Sequence, residues 1–406
     1  MRSVVVVGAS LAGLRAAEVL RADGFVGTIT MVGDELHRPY DRPPLSKQVL
    51  AGEWGPDRCA LRRADDVDLD LDWRLGSTAV ALDVARKRVL LADGSHLGYD
   101  GLLVATGARP RTIPGARGTA GVHVLRTLDD CMALRADLDA GPQRVVVVGG
   151  GFIGAEVAST CRARALDVTL IEVLPVPLGR VLGDTIGGVC ADVHREHGVD
   201  LRTGVGVVGL DVMGDHHRVG RVRLTDGSAV DTDVVVVGVG VVPNTAWLEG
   251  SGLVLDDGLV CDETCTAAPG IVAAGDVARW PNPTFGGESM RVEHWDNALD
   301  QGAHAARSLL ATADGQTPSA YAPVPYFWSD QYDRKLQLAG RPRPGDEMRV
   351  VSGSLEERRF VALYGRDRRV VGALGMNRPA QVMRYRSQLA DGLSWDDALQ
   401  EAGAQP

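Results

Sequence analysis

The chain has 406 residues, too many for one ordinary domain, and its 45% hydrophobic and 24% charged content is that of a globular protein. A net charge of −10 argues against general nucleic-acid binding, which needs a basic surface. No apolar run approaches the ~20 residues of a membrane-spanning helix, and the few residues before the first apolar run are too short for a secretory signal, so the expected compartment is the cytoplasm.

The first apolar run, 4–7, is β-branched and leads into Gly8-Ala9-Ser10-Leu11-Ala12-Gly13. An Ala-rich helix is predicted from 14 to about 20, and a second strand over 28–32 ends at Gly33-Asp34-Glu35. This is a βαβ unit with a glycine turn at its crossover, a pattern that brings backbone close to a pyrophosphate. The acid about twenty residues on suits a ribose hydroxyl. Ser10 stands where the middle glycine is usual, which restricts φ there and leaves the pyrophosphate geometry to be seen.

Next comes an apolar strand ending in Ala105-Thr106-Gly107. At 145–148 a valine run enters Gly149-Gly150-Gly151-Phe152-Ile153-Gly154-Ala155-Glu156, with a helix and a second strand that ends at Glu172. Here all three fingerprint glycines are present, so two dinucleotide sites are expected. A carboxylate at Glu172 favours NADH over NADPH by holding a free ribose 2′-hydroxyl and repelling a 2′-phosphate. Arg180, eight residues later, blurs that preference. Glu156 either positions the nicotinamide or its amide, or is a helix-start acid favoured by the dipole. Further strands at 234–237 and 271–274 end in turns containing Gly240 and Gly275-Asp276.

The six cysteines are scattered, with Cys261 and Cys265 the only close pair and no CxxC. Metal ligation would need two further ligands that no nearby His or Cys pair supplies, so no metal is expected. Alternating apolar segments at 360–364 and 370–374 suggest a small C-terminal sheet, covered by helices near 380–390. Residues 321–406 hold 13 Lys and Arg against 11 Asp and Glu, a balance of 13 − 11 = +2 in a chain of net −10. That local excess either steers an acidic partner or is an ordinary solvated surface.

Together these segments resemble the two-dinucleotide-binding-domain flavoproteins. The resemblance implies an α/β fold of two Rossmann-like domains, one for FAD and one for NAD, plus a C-terminal α+β domain, as in glutathione reductase. The domains would be discontinuous: FAD from 1–110 and 243–320, NAD from 111–242, C-terminal from 321–406. Disulfide reductases of this fold carry a redox dithiol, and related oxidases a reactive cysteine, after the first βαβ unit. Here that stretch reads His37-Arg38-Pro39-Tyr40-Asp41-Arg42-Pro43-Pro44-Leu45-Ser46-Lys47, without sulfur, so thiol redox chemistry is not expected.

The same stretch, with Val292-Glu293-His294-Trp295-Asp296-Asn297-Ala298 and Pro325-Tyr326-Phe327-Trp328-Ser329-Asp330-Gln331-Tyr332-Asp333, is similar to the NADH-dependent ferredoxin reductases that serve oxygenases. Members of that family pass a hydride from NADH to FAD, then two single electrons to a 2Fe–2S ferredoxin feeding a monooxygenase or dioxygenase. The resemblance implies catalytic roles for Lys47 and Trp295, with Arg42 beside the flavin. It implies that Arg126 neutralises the FAD pyrophosphate and that Val80 meets adenine through its backbone. It places Asp276 on the ribityl chain, and Ala105, Thr106, Gly107, Gly240, Gly275, Glu293 and His294 around the cofactors, His294 as a positioning residue. On their residue types alone, Lys47 and Arg42 are also readable as surface charges, Trp295 as core packing and Asp276 as a helix N-cap. A monomer or weak homodimer is expected, and an NADH oxidase or a flavin or quinone reductase is the alternative activity.

Overall fold

The computed structural model describes residues 1–62, 68–213 and 217–403. Two compact units are formed. The first comprises Met1–Asp41, Cys59–Arg109 and Val242–Phe327, the second Arg42–Arg58, Pro110–Val241 and Trp328–Pro406.

In the first unit the valine run forms the strand Ser3–Val7, paired in parallel with Thr28–Val32 on one side and Gly101–Val104 on the other. Leu71–Arg74 extends the sheet at one edge, and Ile271–Ala273 with antiparallel Thr266–Ala268 at the other, giving six strands. The central strands are buried along almost their whole length, as strands covered on both faces must be. The helix Leu11–Ala22 runs longer at both ends than the sequence suggests, and packs its alanine face against the helix Trp295–Ala313. Contact there is close: a Cβ on Gly302 would fall inside the Ala12 carbonyl. One continuous core joins these elements, from Val4 to Tyr321.

The second unit repeats the plan. Its five-stranded parallel sheet runs Asp200–Thr203, Asp167–Glu172, Arg144–Val148, Val234–Val237, Val122–Val124. The helix Phe152–Ala163 follows the central strand. A three-stranded antiparallel sheet, Val207–Met213, Arg218–Leu224 and Ala229–Asp231, packs on it through Val219, Val222 and Leu224. The C-terminal segment forms five strands in the order Tyr326–Gln331, Arg334–Gly340, Arg369–Met376, Arg359–Arg366, Glu347–Ser354. The helix Pro379–Ala390 lies on that sheet, where Val382 meets Gly375. Among the described residues no helix is long and apolar enough to cross a membrane.

Candidate cofactor site

Each unit carries one glycine turn, and the two turns have the same internal geometry. Gly8 donates its N–H to the Val32 carbonyl at 2.8 Å, and Gly149 to that of Ile171 at 2.8 Å. Both have left-handed backbone, φ 121° and 103°. A Cβ on Gly8 would strike the Ala105 carbonyl, and one on Gly149 the Gly238 carbonyl. Only glycine satisfies both conditions. Gly13 and Gly154 are the contact points of helix on turn, since a Cβ on either would overlap the carbonyl of Gly8 or Gly149. Gly154 and Ala12 are buried, Phe152 is half-buried and Ile153 is 41% exposed beside its turn.

The middle position behaves differently. Ser10 has φ −124° and Gly151 φ −77°, both extended N-cap conformations open to any residue. The expected loss of φ freedom at Ser10 therefore does not arise. What Gly151 leaves is room, because a Cβ there would meet nothing within 4 Å. An open cradle above a helix N-terminus, floored by glycines that admit no side chain, fits a pyrophosphate in both units.

The acids are placed unequally. Glu172 is buried and accepts from Gly150 N–H at 2.7 Å and Leu174 N–H at 2.8 Å, so it braces the glycine turn as well as ending its strand. In the first unit the matching position is Gly33, where a Cβ would crowd Ala9. Asp34, one residue on, is exposed, whereas half-buried Glu35 accepts a hydrogen bond from the buried Tyr40 hydroxyl. Of the two acids offered by sequence, Glu35 is the one with a fixed carboxylate.

The Ala105-Thr106-Gly107 turn follows the strand Gly101–Val104 and is clamped by Asn244. Thr106 Oγ1 donates to the Asn244 carbonyl, Asn244 Nδ2 to the Thr106 carbonyl and Asn244 N–H to the Gly107 carbonyl, each at 2.9 Å. The second unit has the counterpart Gly238-Val239-Gly240, in which the Gly240 carbonyl accepts from Arg111 N–H at 2.9 Å. Asn244, Gly238 and Val239 are absent from the sequence-based set, and no local signal marks Asn244 as a clamp for residues 138 positions away.

Gly275 and Asp276 lie inside a short 3-10 turn, Gly275–Val277, whose N-cap is Ala274. Asp276 is thus not an N-cap, and it is 9% exposed. Gln301 accepts from Gly275 N–H at 2.9 Å, and Arg291 donates to the Asp276 carbonyl at 3.1 Å. Arg291 is held in turn by Glu293 at 2.6 Å and Asp257 at 3.3 Å. Glu293 accordingly acts on this turn through Arg291. His294 is the N-cap residue of the Trp295–Ala313 helix, its ring 4.9 Å from that of Phe327. Half-buried Trp295 donates its indole N–H to Asp41 at 2.6 Å. Val80 is the extra residue of a bulge between Ala79 and Ala81 on an edge strand, outside the register of the ladder.

In the second unit Lys47 follows the 3-10 turn Pro43–Ser46 and forms an ion pair with Glu156 at 2.6 Å, with side chains only 14% and 7% exposed. Lys47 Nζ also donates to the Pro43 carbonyl at 3.0 Å and to Ser46 Oγ at 3.2 Å, which engages all three ammonium hydrogens. Neither residue is a solvated surface charge. Glu156 lies in the second turn of its helix, and there is no acid in the first, so the helix-start reading fails. Arg42 donates to the Arg126 carbonyl at 2.7 Å. Arg126 N–H and Thr127 N–H both reach Asp130, closing a capping box on the Leu128–Asp139 helix. The backbone of Arg126 is thereby fixed.

All six cysteines are free and buried. Burial pushes the Cys161, Cys190 and Cys261 thiols up to about 12 and Cys265 well above its ordinary value, so none of these four is a thiolate near neutrality. Among the described residues no cluster of His, Cys, Asp or Glu could hold a metal.

Known proteins fit this geometry. Residues 2–302 match the pyridine nucleotide-disulphide oxidoreductase family and residues 326–403 the reductase C-terminal family. The chain is 40% identical to rhodocoxin reductase of Rhodococcus erythropolis over 96% of its own length and 89% of that protein. It is 38% identical to putidaredoxin reductase of Pseudomonas putida, over 96% and 92%. The structure of the covalent putidaredoxin reductase–putidaredoxin complex superposes with a TM-score of 0.90 at 36% identity, covering 96% of this chain and 93% of that one. By the family match over residues 2–302 and by relatives 38–40% identical over 96% of its length, the chain belongs to the pyridine nucleotide-disulphide oxidoreductase family, flavoproteins that use FAD with NAD(H).

Proposed function

We propose that this protein is an NADH:ferredoxin oxidoreductase acting in the cytoplasm, supplying a monooxygenase or dioxygenase through a 2Fe–2S ferredoxin. The carrying observation is the pairing of two matched dinucleotide cradles with six free, buried cysteines, a combination with no internal disulfide relay between nucleotide and acceptor. The relatives' own names attach them to rhodocoxin and putidaredoxin, which points the same way. In this reading FAD occupies a domain of 1–110 and 243–320, NADH one of 111–242, and 321–406 forms the C-terminal domain.

FAD, when bound, would supply the hydride acceptor for NADH and the one-electron donor for the ferredoxin. The chain's own residues hold and orient. The turn from Gly8 to Gly13 would receive the FAD pyrophosphate, with Glu35 on the ribose and the backbone of Val80 against adenine. Asp276, braced by Arg291, meets the ribityl chain. The second turn receives NADH, with Glu172 on the adenosine ribose. Lys47, held in place by Glu156, would supply positive charge that favours the reduced ring, and Trp295, held by Asp41, would shield it. Near-attack alignment of the two rings is the protein's contribution to the rate.

An anaerobic stopped-flow experiment tests this. The yellow holoenzyme should bleach faster with NADH than with NADPH and recover its colour on addition of oxidised 2Fe–2S ferredoxin. Recovery by air but not by ferredoxin would replace the proposal with an NADH oxidase.

A further inference from the structure

Glu156 is buried, and both its oxygens are occupied. Oε2 accepts from Ser46 Oγ and Lys47 Nζ, each at 2.6 Å, while Oε1 accepts from Ser329 Oγ at 2.8 Å. Ser329 is fully buried on the strand Tyr326–Gln331, the first of the C-terminal sheet. Two residues along the same strand, and so on the same face, buried Gln331 donates Nε2–H to Ser329 Oγ at 3.1 Å. A hydroxyl has a single proton, and Gln331 fills an acceptor site on it, so the Ser329 proton is directed to Glu156.

The strand is pinned where this donor needs it. Immediately beyond Gln331, Tyr332 N–H donates to Ser159 Oγ at 2.6 Å, one helical turn along from Glu156. The Tyr332 hydroxyl meets His194 Nδ1 at 2.8 Å, and its ring stacks on His197 at 4.0 Å. Neither strand nor helix can slide without breaking these contacts, which leaves the Ser329 hydroxyl preorganised toward the carboxylate.

We propose that Ser329 is a positioning residue for the Lys47–Glu156 pair, oriented by Gln331, and that the C-terminal sheet sets the geometry of that pair through it during flavin reduction. The inference rests on the role given to the pair above. Without the hydroxyl, Oε1 is buried with no donor, and the carboxylate regains one only by rotating, which disturbs its bond to Lys47. A buried acceptor stripped of its partner is costly enough to drive such a rotation.

The experiment compares holoenzymes carrying Ser329→Ala, Ser329→Thr, Gln331→Met, Glu156→Gln and the double change Ser329→Ala/Glu156→Gln. Anaerobic bleaching is followed against NADH concentration and pH, and thermal midpoints check folding. Ser329→Ala should slow the limiting rate about three- to tenfold, the scale of one ordinary net hydrogen bond, with the half-saturating NADH concentration unmoved. Ser329→Thr keeps the hydroxyl and should keep the rate. Gln331→Met, which leaves Ser329 in place, should slow it less and carries the test if the alanine variant does not fold. In the Glu156→Gln background Ser329→Ala should add no further slowing, because both act at one point. A slow Glu156→Gln beside an unchanged Ser329→Ala would overturn the positioning role alone. Full additivity in the double variant would overturn it too. An unchanged Glu156→Gln would remove both the role of the pair and the proposal built on it.

Discussion

Gly8 and Ser10 stand two residues apart in one turn and answer to different constraints. Gly8 has φ 121° and no room for a Cβ beside Ala105, so Gly8→Ala should yield protein purified without flavin. Ser10 sits at φ −124°, and Ser10→Gly should leave FAD affinity within about threefold of the parent, since Ser and Gly differ little as N-cap residues. Flavin absorbance per protein and reconstitution of the apoprotein measure both. The substituted middle glycine was the one irregularity visible in the fingerprint, and its harmlessness was not legible, because φ at an N-cap depends on how the turn enters the helix. Glu172 poses the converse case. Its strand-end position was readable from sequence, whereas its bonds to Gly150 and Leu174 were not. Glu172→Arg should therefore raise the NADPH-to-NADH ratio of kcat/KM by at least about tenfold, the scale of one lost charged contact, while lowering efficiency with NADH because the turn loses its brace. An unchanged ratio would take Glu172 out of ribose recognition.

At the level of elements, strand, turn and helix followed from apolar runs of four or five residues broken by glycine, and both central valine runs became central strands. Contacts between elements did not follow, because they join residues far apart in the chain. Lys47 meets Glu156 across 109 positions and Ser329 meets Glu156 across 173, and neither spacing has a periodicity to betray it. The same holds for the hairpin turn at Tyr332 against the Gly179–Glu196 helix. His194 on that helix is fully buried, facing Tyr332 with Arg195 and His197 nearby, and burial lowers its pKa from 6.5 to about 4. The folded protein thus keeps His194 neutral, whereas the unfolded chain takes up a proton as pH falls through 6.5. The stabilisation is complete above that pH and is lost progressively toward about 4, where the folded form also protonates. Between about pH 7.5 and about pH 5 this amounts to on the order of 2 kcal/mol. His194→Gln, whatever its effect at neutral pH, should show a smaller acid-induced drop in unfolding free energy than the parent. Equal drops would assign the acid sensitivity to other groups.

Over the whole molecule, one supersecondary plan is used twice. Gly8, Gly13 and Ala105 in one unit correspond to Gly149, Gly154 and Gly238 in the other, and the C-terminal segment adds a sheet whose first strand carries Ser329. Its charges are interspersed: Arg334, Lys335, Arg349, Arg366, Arg368 and Arg384 each pair with an acid of the same segment, which leaves the balance at +2. The count of +2 therefore describes a surface laced with ion pairs more than a single-signed patch, a distinction that composition alone could not make. What composition did make readable was the scatter of cysteines, and the fold turns that scatter into a chemical statement. Every thiol is free and buried, and burial disfavours the thiolate of Cys161, Cys190, Cys261 and Cys265, although the family takes its name from disulfide chemistry. Alkylation of the native holoenzyme with iodoacetamide, before and after reduction by NADH, should introduce no label and leave ferredoxin reduction unchanged, while the denatured chain should take up label at all six sites. A thiol that becomes reactive only after NADH is added would reveal a sulfur relay, and the direct passage of electrons from flavin to ferredoxin would have to be abandoned.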